Sequence, residues 1–359
     1  MRKHRVKLFI AATSVSLILT GCFQGEQSLE ENMDPPQEAE AVDSTEDLTS
    51  SIQSEDEEAE SSEAAKTVER ELYLLDANGM VASQTVELPV LDSKEVATQV
   101  LEYLVKDGPV SNILPDGFQA VLPAGTEILG LRLQEEDGTL IVDVSEEFKE
   151  YEAEDEVRIL EAMTYTLTQF DNVENVKLWI NGHEQEVMPV NGTPVADGYT
   201  RANGINVIES DNIDLINSQA VTMYFPAEYN ENQYFVPVTQ HVKVENGDEL
   251  QAITDSLVNG PGYVSNLMQV FNSETELVET PTLKDGVLEL VFNENVLQDT
   301  DNSVISDEVM ETLVRTFTDQ RDVEAVNVRV ENVEQLANED GEVYTEPVTK
   351  DSFIQTEKF

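Results

Sequence analysis

The sequence predicts a mixed α/β (α+β) protein built from two tandem two-layer domains, each running β-α-β-β-α-β. Three observations predict it: a stretch written twice, tight turns flanked by alternating apolar residues, and helical stripes that stop at glycine–proline. The repeated stretch is Leu160–Thr168, which returns as Met310–Thr318; Val173–Leu178 then returns as Val323–Val328. Both segments are displaced by the same 150 positions, so the pairing needs no gap. A period of that size is a whole domain, longer than the repeat unit of a solenoid or propeller. The 359 residues are enough for two separate cores.

In the first copy, Glu71–Leu75 reads as a strand and Thr85–Leu88 as a second, short one. A helix follows, with Asp92 placed to cap it and Glu95 three residues on to close a capping box. Val96, Val100, Leu101, Leu104 and Val105 give its apolar stripe. Gly108-Pro109 ends it, the glycine being expected in a left-handed cap. Ile128–Leu133 and Leu140–Val144 form a hairpin around Asp137-Gly138, with Leu140, Val142 and Val144 on one face. A second helix spans about Ala153 to Phe170 and buries Val157, Leu160, Met163 and Leu167. Val176–Ile180 is the closing strand, turned by Asn181-Gly182 so that Glu184–Met188 pairs back.

The second copy follows the same plan. Thr222–Phe225 answers the first strand, and Tyr224 stands where Tyr73 stands. A helix from Asp248 buries Leu250, Ile253, Leu257 and Val258 and stops at Gly260-Pro261. Asp285-Gly286 turns a hairpin that points Leu288, Leu290 and Phe292 inward, its first strand shortened or placed at an edge by Pro281. Ser306 caps the next helix, with Ile305 and Met310 spaced as a hydrophobic staple, and Val326, Val328 and Val330 close the domain. Both helices of each copy are expected on one face of the sheet. The chain thus divides into a leader (1–22), a tether (23–67), domain one (68–196), a polar connection without pattern (197–219), domain two (220–347) and a tail (348–359) whose Phe353 and Ile354 are placed to dock on domain two.

The leader has a basic start (Arg2–Lys7) and an apolar run, Leu8–Leu19, too short to span a bilayer as a stable helix. It ends in Leu19-Thr20-Gly21-Cys22, similar to the lipobox of bacterial lipoproteins, and Cys22 is the only cysteine. A single thiol used for a lipid anchor and no disulfide agree with that reading, which puts the chain on the extracytoplasmic face, held by lipid and not crossing the membrane. Between Gln24 and Ala65 lie fifteen acidic residues and no basic or aromatic ones. Such a segment cannot bury enough apolar surface to fold and reads as a self-repelling spacer, with an acidic docking motif as the rival reading.

The whole chain carries 20 basic and 73 acidic residues, a formal charge of −53. Loss of the four basic leader residues would leave 16 against 73, or −57. That field repels polyanions, and no basic stripe offsets it, which excludes nucleic-acid binding. Solubility accounts for most of the surplus carboxylates.

Reactive constellations are scarce. His183 and His241 occupy unmatched places in the two copies, and neither has a cysteine or second histidine beside it, so no zinc site is expected. There is no nucleophile signature, no phosphate loop and no dinucleotide fingerprint, so neither catalysis nor a cofactor is expected. Asp299-Thr300-Asp301-Asn302 and Asn338-Glu339-Asp340-Gly341 resemble pieces of calcium loops but lack the terminal glutamate. Carboxylate pairs for glycoside hydrolysis carry no signal in so acidic a chain, and Asp143 becomes Val291 in the second copy. The candidate partner contacts are Trp179, the only tryptophan, alternating outward on the closing strand, and Arg329, its counterpart. Trp179 reads as a partner-contact or sugar-stacking residue, or as cover for a neighbouring loop.

Leu104–Pro109, the run Val121–Thr126 and Asp143-Val144-Ser145, preceded by the lipobox and Asp34-Pro35-Pro36-Gln37, resemble the GerM family, lipoproteins of spore-forming bacteria built from tandem GerMN domains. The second copy keeps Leu257–Pro261 in altered form and has Asn293 in place of Ser145, but lacks the Pro-Ala-Gly-Thr run. The resemblance covers the chain outside the tether. It implies a role in sporulation and germination, on the outer face of the mother-cell membrane around the forespore, with the proteins of the envelope channel as partners. It also implies domains similar to the ring-building motifs of secretion systems. The combined expectation is a non-enzymatic scaffold, with a peptidoglycan-binding module as the alternative.

Overall fold

A computed structural model describes residues 67–90, 95–170, 172–208, 218–244, 247–262 and 266–353. The leader, Cys22, the tether, Asp92 and Ile354 lie outside the described residues.

The first copy contains β1 (Thr67–Leu75), β2 (Val81–Pro89), α1 (Val96–Glu102), β3 (Ile128–Gln134), β4 (Thr139–Val144), α2 (Glu156–Leu167), β5 (Asn175–Ile180) and β6 (His183–Glu184). The second contains β7 (Ser218–Tyr229), β8 (Asn232–Lys243), α3 (Glu249–Asn259), β9 (Thr282–Lys284), β10 (Val287–Phe292), α4 (Asp307–Thr318), β11 (Ala325–Val330) and β12 (Val348–Thr349). Each copy forms one four-stranded sheet, ordered β3-β4-β5-β6 and β12-β11-β10-β9. In each sheet a hairpin precedes a helical crossover into a parallel neighbour, β4 beside β5 and β10 beside β11. The mixed α/β class and the doubling are as expected from the repeat.

The leading strand differs in detail. It does not join the sheet but pairs with its own partner as a two-stranded ribbon, β1-β2 in one copy and β7-β8 in the other. Its sequence has the physical reason. Leu72-Tyr73-Leu74-Leu75 is apolar without alternation and is buried throughout, as a strand covered on both faces must be. One side of β1 meets α2, and β2 meets β8 of the other copy.

Asp137-Gly138 and Asp285-Gly286 turn the hairpins, and Asp137 Oδ1 accepts from Thr139 N–H at 3.1 Å. Leu140, Val142 and Val144 are buried together, as are Leu288, Leu290 and Phe292. Asp248 caps α3 through Gln251 N–H at 3.1 Å, and Ser306 caps α4 through Val309 N–H at 3.3 Å. β9 is a three-residue edge strand after Pro281, as a missing ladder donor dictates.

Four expectations are corrected. The left-handed residue before Pro109 is Asp107, at φ 60, while Gly108 is extended; in the second copy Gly260 takes the positive φ, at 80, with an extended ψ that only glycine adopts readily. Asp107 succeeds there because a short polar side chain tolerates that region. α1 closes at Glu102, its N-terminal flank Glu95 making no side-chain cap, although Leu104 and Val105 remain buried beyond it. α2 begins at Glu156 after a single 3-10 turn and ends at Leu167; Val157 is 41% exposed, and Ile159 fills the core position instead. Finally, the connection after domain one is not merely polar. Tyr199 exchanges both backbone bonds with Val176, at 2.9 and 2.8 Å, and Ile205 is fully buried.

The tip of the β7-β8 ribbon places Asn230 and Glu231 at φ 50 and 66. Two left-handed residues make a mirror-image turn, for which glycine is favoured at the second place. Glu231→Gly is expected to stabilise the fold by about 0.5–1 kcal/mol, read as an upward shift of the urea midpoint.

Candidate interaction surfaces

Trp179 lies on the solvent side of β5, between Asp143 of β4 and Glu184 of β6 in the strand register. Arg132 from β3 sits over its ring, 5.1 Å from the centroid, and Lys177 pairs with Glu184 at 3.3 Å. The indole is therefore half-covered by a neighbour of its own sheet. Arg329, on the equivalent face of β11, donates to Glu289 at 2.6 Å and is 57% exposed. The two candidate contacts occupy matching sites but offer different chemistry, a stacked cation–indole pair and a surface ion pair. Asp143 is engaged as well, accepting from Gly182 N–H at 2.9 Å and so fixing the β5-β6 turn.

His183 is exposed on β6, and His241 on β8 faces Ser218 at 3.5 Å, so the structure does not bring the two histidines together with any third ligand. Asp299 accepts from the backbone of Asp301 and Asn302 and from the Asn302 amide, which consumes the carboxylate inside its own loop. Among the described residues no group of three metal-ligating side chains converges.

The motifs that carried the family resemblance meet in space. Leu122 N–H donates to Leu104 O at 2.8 Å and Lys106 N–H to Leu122 O at 2.9 Å. Thr126 Oγ1 donates to Pro123 O at 2.8 Å, and Ser145 Oγ accepts from Glu127 N–H at 3.0 Å. In the second copy Asn293 Oδ1 takes over the last role, accepting from Glu276 N–H at 3.3 Å while its amide donates to Glu274 O at 2.9 Å. These residues brace the loop that leads into each sheet, and a serine or an asparagine serves equally.

The most perturbed ionisable groups sit elsewhere, at the junction of the two copies. Tyr73 and Tyr224, counterparts in the repeat, place their hydroxyls 3.5 Å apart. Their backbone N–H groups make matching bonds, to Thr166 and Thr316 Oγ1, each at 3.0 Å. The junction therefore has an approximate two-fold relation. Arg315 of α4 donates to Glu311 at 2.6 Å, stacks on Phe235 at 4.9 Å and approaches Glu71 of β1 at 3.6 Å. Lys350 meets the other Glu71 oxygen at 3.5 Å. On the opposite side, Arg201 from the connection pairs with Asp319 at 2.6 Å, donates to Thr168 at 2.8 Å and lies 4.6 Å over Tyr165.

Burial alone would push the Glu71 carboxyl up, but Lys350 and Arg315 outweigh it and hold it below the usual carboxylate range. Burial raises the Tyr73 and Tyr224 phenols far above their ordinary value and Tyr165 to about 12. Burial works against the Arg201 charge, yet Asp319 together with the Tyr73, Tyr224 and Tyr165 hydroxyls more than offsets it. Local sequence pattern does not reveal this cluster, whose members come from both copies and the connection between them. A signal is present: Arg315 interrupts Leu313-Val314 and Thr316-Phe317, and Glu71 borders the apolar run Leu72–Leu75, so one copy sets a charge inside an apolar stretch and the other sets one at its edge.

Residues 71–186 and 222–336 each match the Germane family, described as sporulation and spore germination. The chain belongs to the Germane family. The two matched spans of this Germane chain coincide with its two structural copies. It is 42% identical over 363 residues to the spore germination protein GerM of Bacillus subtilis (strain 168), covering 98% of each chain. Its fold is similar to the solved tandem GerMN domains of the B. subtilis sporulation protein GerM, with a TM-score of 0.73 and 44% identity over 79% of this chain and 97% of that one. The Germane pair is therefore related to a sporulation and spore germination protein. Among the described residues no helix is long and apolar enough to cross a membrane.

Proposed function

We propose that the chain is a non-enzymatic scaffold of the sporulating cell, anchored by lipid at Cys22 on the extracytoplasmic side and supporting assembly of the mother cell–forespore channel complex. The observation that carries this reading is the junction. Strongly shifted groups often mark a catalytic cleft, but structural ion networks shift them too. Here Glu71, Arg315, Arg201, Tyr73 and Tyr224 face one another between the copies, so their chemistry is devoted to joining two domains. The kinship to a spore germination protein supports the process, and the lipobox read from the sequence supports the place.

The test is affinity capture of the tagged full chain from sporulating cells. Recovery of envelope channel proteins, together with a sporulation defect in the deletion strain, is the expected result. A clean capture without them, in cells that sporulate normally when the gene is deleted, rejects the scaffold. Sedimentation with purified peptidoglycan, with and without Trp179→Ala, separates the wall-binding alternative. The Arg132 cover over the indole weighs against sugar stacking there.

A further inference from the structure

Asn206 belongs to the connection between the copies and sits in the left-handed region, at φ 46. Its side-chain amide imitates a peptide unit. Oδ1 accepts from Val81 N–H at 2.9 Å, while Nδ2 donates to Val81 O and to Pro237 O, each at 2.7 Å. One side chain thereby ties β2 of the first copy to β8 of the second. Its backbone N–H points the other way, to Glu161 Oε1 of α2 at 3.1 Å.

Glu161 is 3% exposed, and among the described residues no cation lies within ion-pair distance of it. The titratable and charged groups facing it are Arg158 and Tyr165 on its own helix and Tyr199 on the connection. Arg158 is already paired with Asp155 at 3.0 Å. A buried carboxylate without a partner cation is costly, whereas the neutral acid can occupy the same place and still accept the Asn206 N–H.

We propose that Glu161 and Asn206 form a protonation-operated latch that seats the connection and, through it, holds the two copies in register. Burial pushes the Glu161 carboxyl up to about 7, with Asn206 N–H and Arg158 opposing only in part. The sign follows from that upward shift. The stabilisation is complete below the carboxyl's unfolded-state value and is lost as pH rises through about 7. The latch is closed in mild acid and loosened on the alkaline side.

Hydrogen exchange of the Val81 and Asn206 amides in the full chain, corrected for intrinsic rates, tests this between about pH 5.5 and pH 8.5. The parent chain is expected to lose protection about tenfold or more across that range, and Glu161→Gln to lose little. Equal loss in both chains overturns the latch, as does a Glu161→Gln chain that is unprotected at every pH. Direct titration of the Glu161 carboxyl by NMR is independent of any variant. An ordinary glutamate midpoint there also rejects the proposal.

Discussion

Arg315→Ala is expected to destabilise the paired domains by about 3–5 kcal/mol, read from urea unfolding at neutral pH. The substitution removes the cation from between Glu71 and Glu311, both of which are largely buried. Lys350, 3.5 Å from Glu71 and itself partly exposed, compensates only in part. Most of the loss is the cost of an uncompensated buried charge, so it does not measure what the ion pair adds to stability. Combining Glu71→Leu with Arg315→Met separates the two quantities for the pair between the copies, Glu311 losing its cation in the single and the double variant alike. If the pair chiefly specifies how the copies meet, the double variant recovers at least about 2 kcal/mol of the single loss. A double variant as unstable as Arg315→Ala would show the charges to be net stabilising. Glu71 adds a pH signature: its carboxyl is held low, so its stabilisation is present above the unfolded-state value and lost as pH falls.

Asn206→Ala is expected to cost about 3 kcal/mol. The change strands the N–H and O of Val81 and weakens the bonding of Pro237 O, each a buried-group penalty of order 1 kcal/mol. It also places a Cβ-bearing residue with no side-chain hydrogen bond at φ 46, for about 1 kcal/mol more. Asn206→Gly retains the backbone freedom and loses only the amide, so it should fall about 1 kcal/mol short of alanine. A loss below about 1 kcal/mol in the alanine variant would mean that the amide does not join the ribbons.

The elements that could be read from the sequence obey local rules. Asp137-Gly138 and Asp285-Gly286 fix turns through the conformations that they permit, and the alternation of Leu288, Leu290 and Phe292 fixes a face. Ser306 caps its helix through an atom three residues away. The missed features depend on distant parts of the chain. Whether Tyr73 belongs to a sheet or a ribbon depends on what surrounds it, and part of that cover, Tyr224, comes from the other copy. Val157 and Ile159 are both plausible stripe positions, and only the start of α2 at Glu156 decides between them. Asn206 reads as an ordinary loop asparagine because its partners are 125 and 31 residues away. Arg315 reads as one more residue of the repeated helix, since the carboxylate that it approaches lies in the other copy.

The near two-fold junction has a consequence for assembly. A self-complementary contact of the kind that joins identical subunits is here made inside one polypeptide, so that patch is already occupied and is not offered to a further copy. Because the halves are covalently joined, each has been free to drift, and equivalent sites now bear Trp179 on one side and Arg329 on the other. A fused pseudo-dimer with unlike flanks has a head and a tail, and an array that repeats it head to tail acquires a direction.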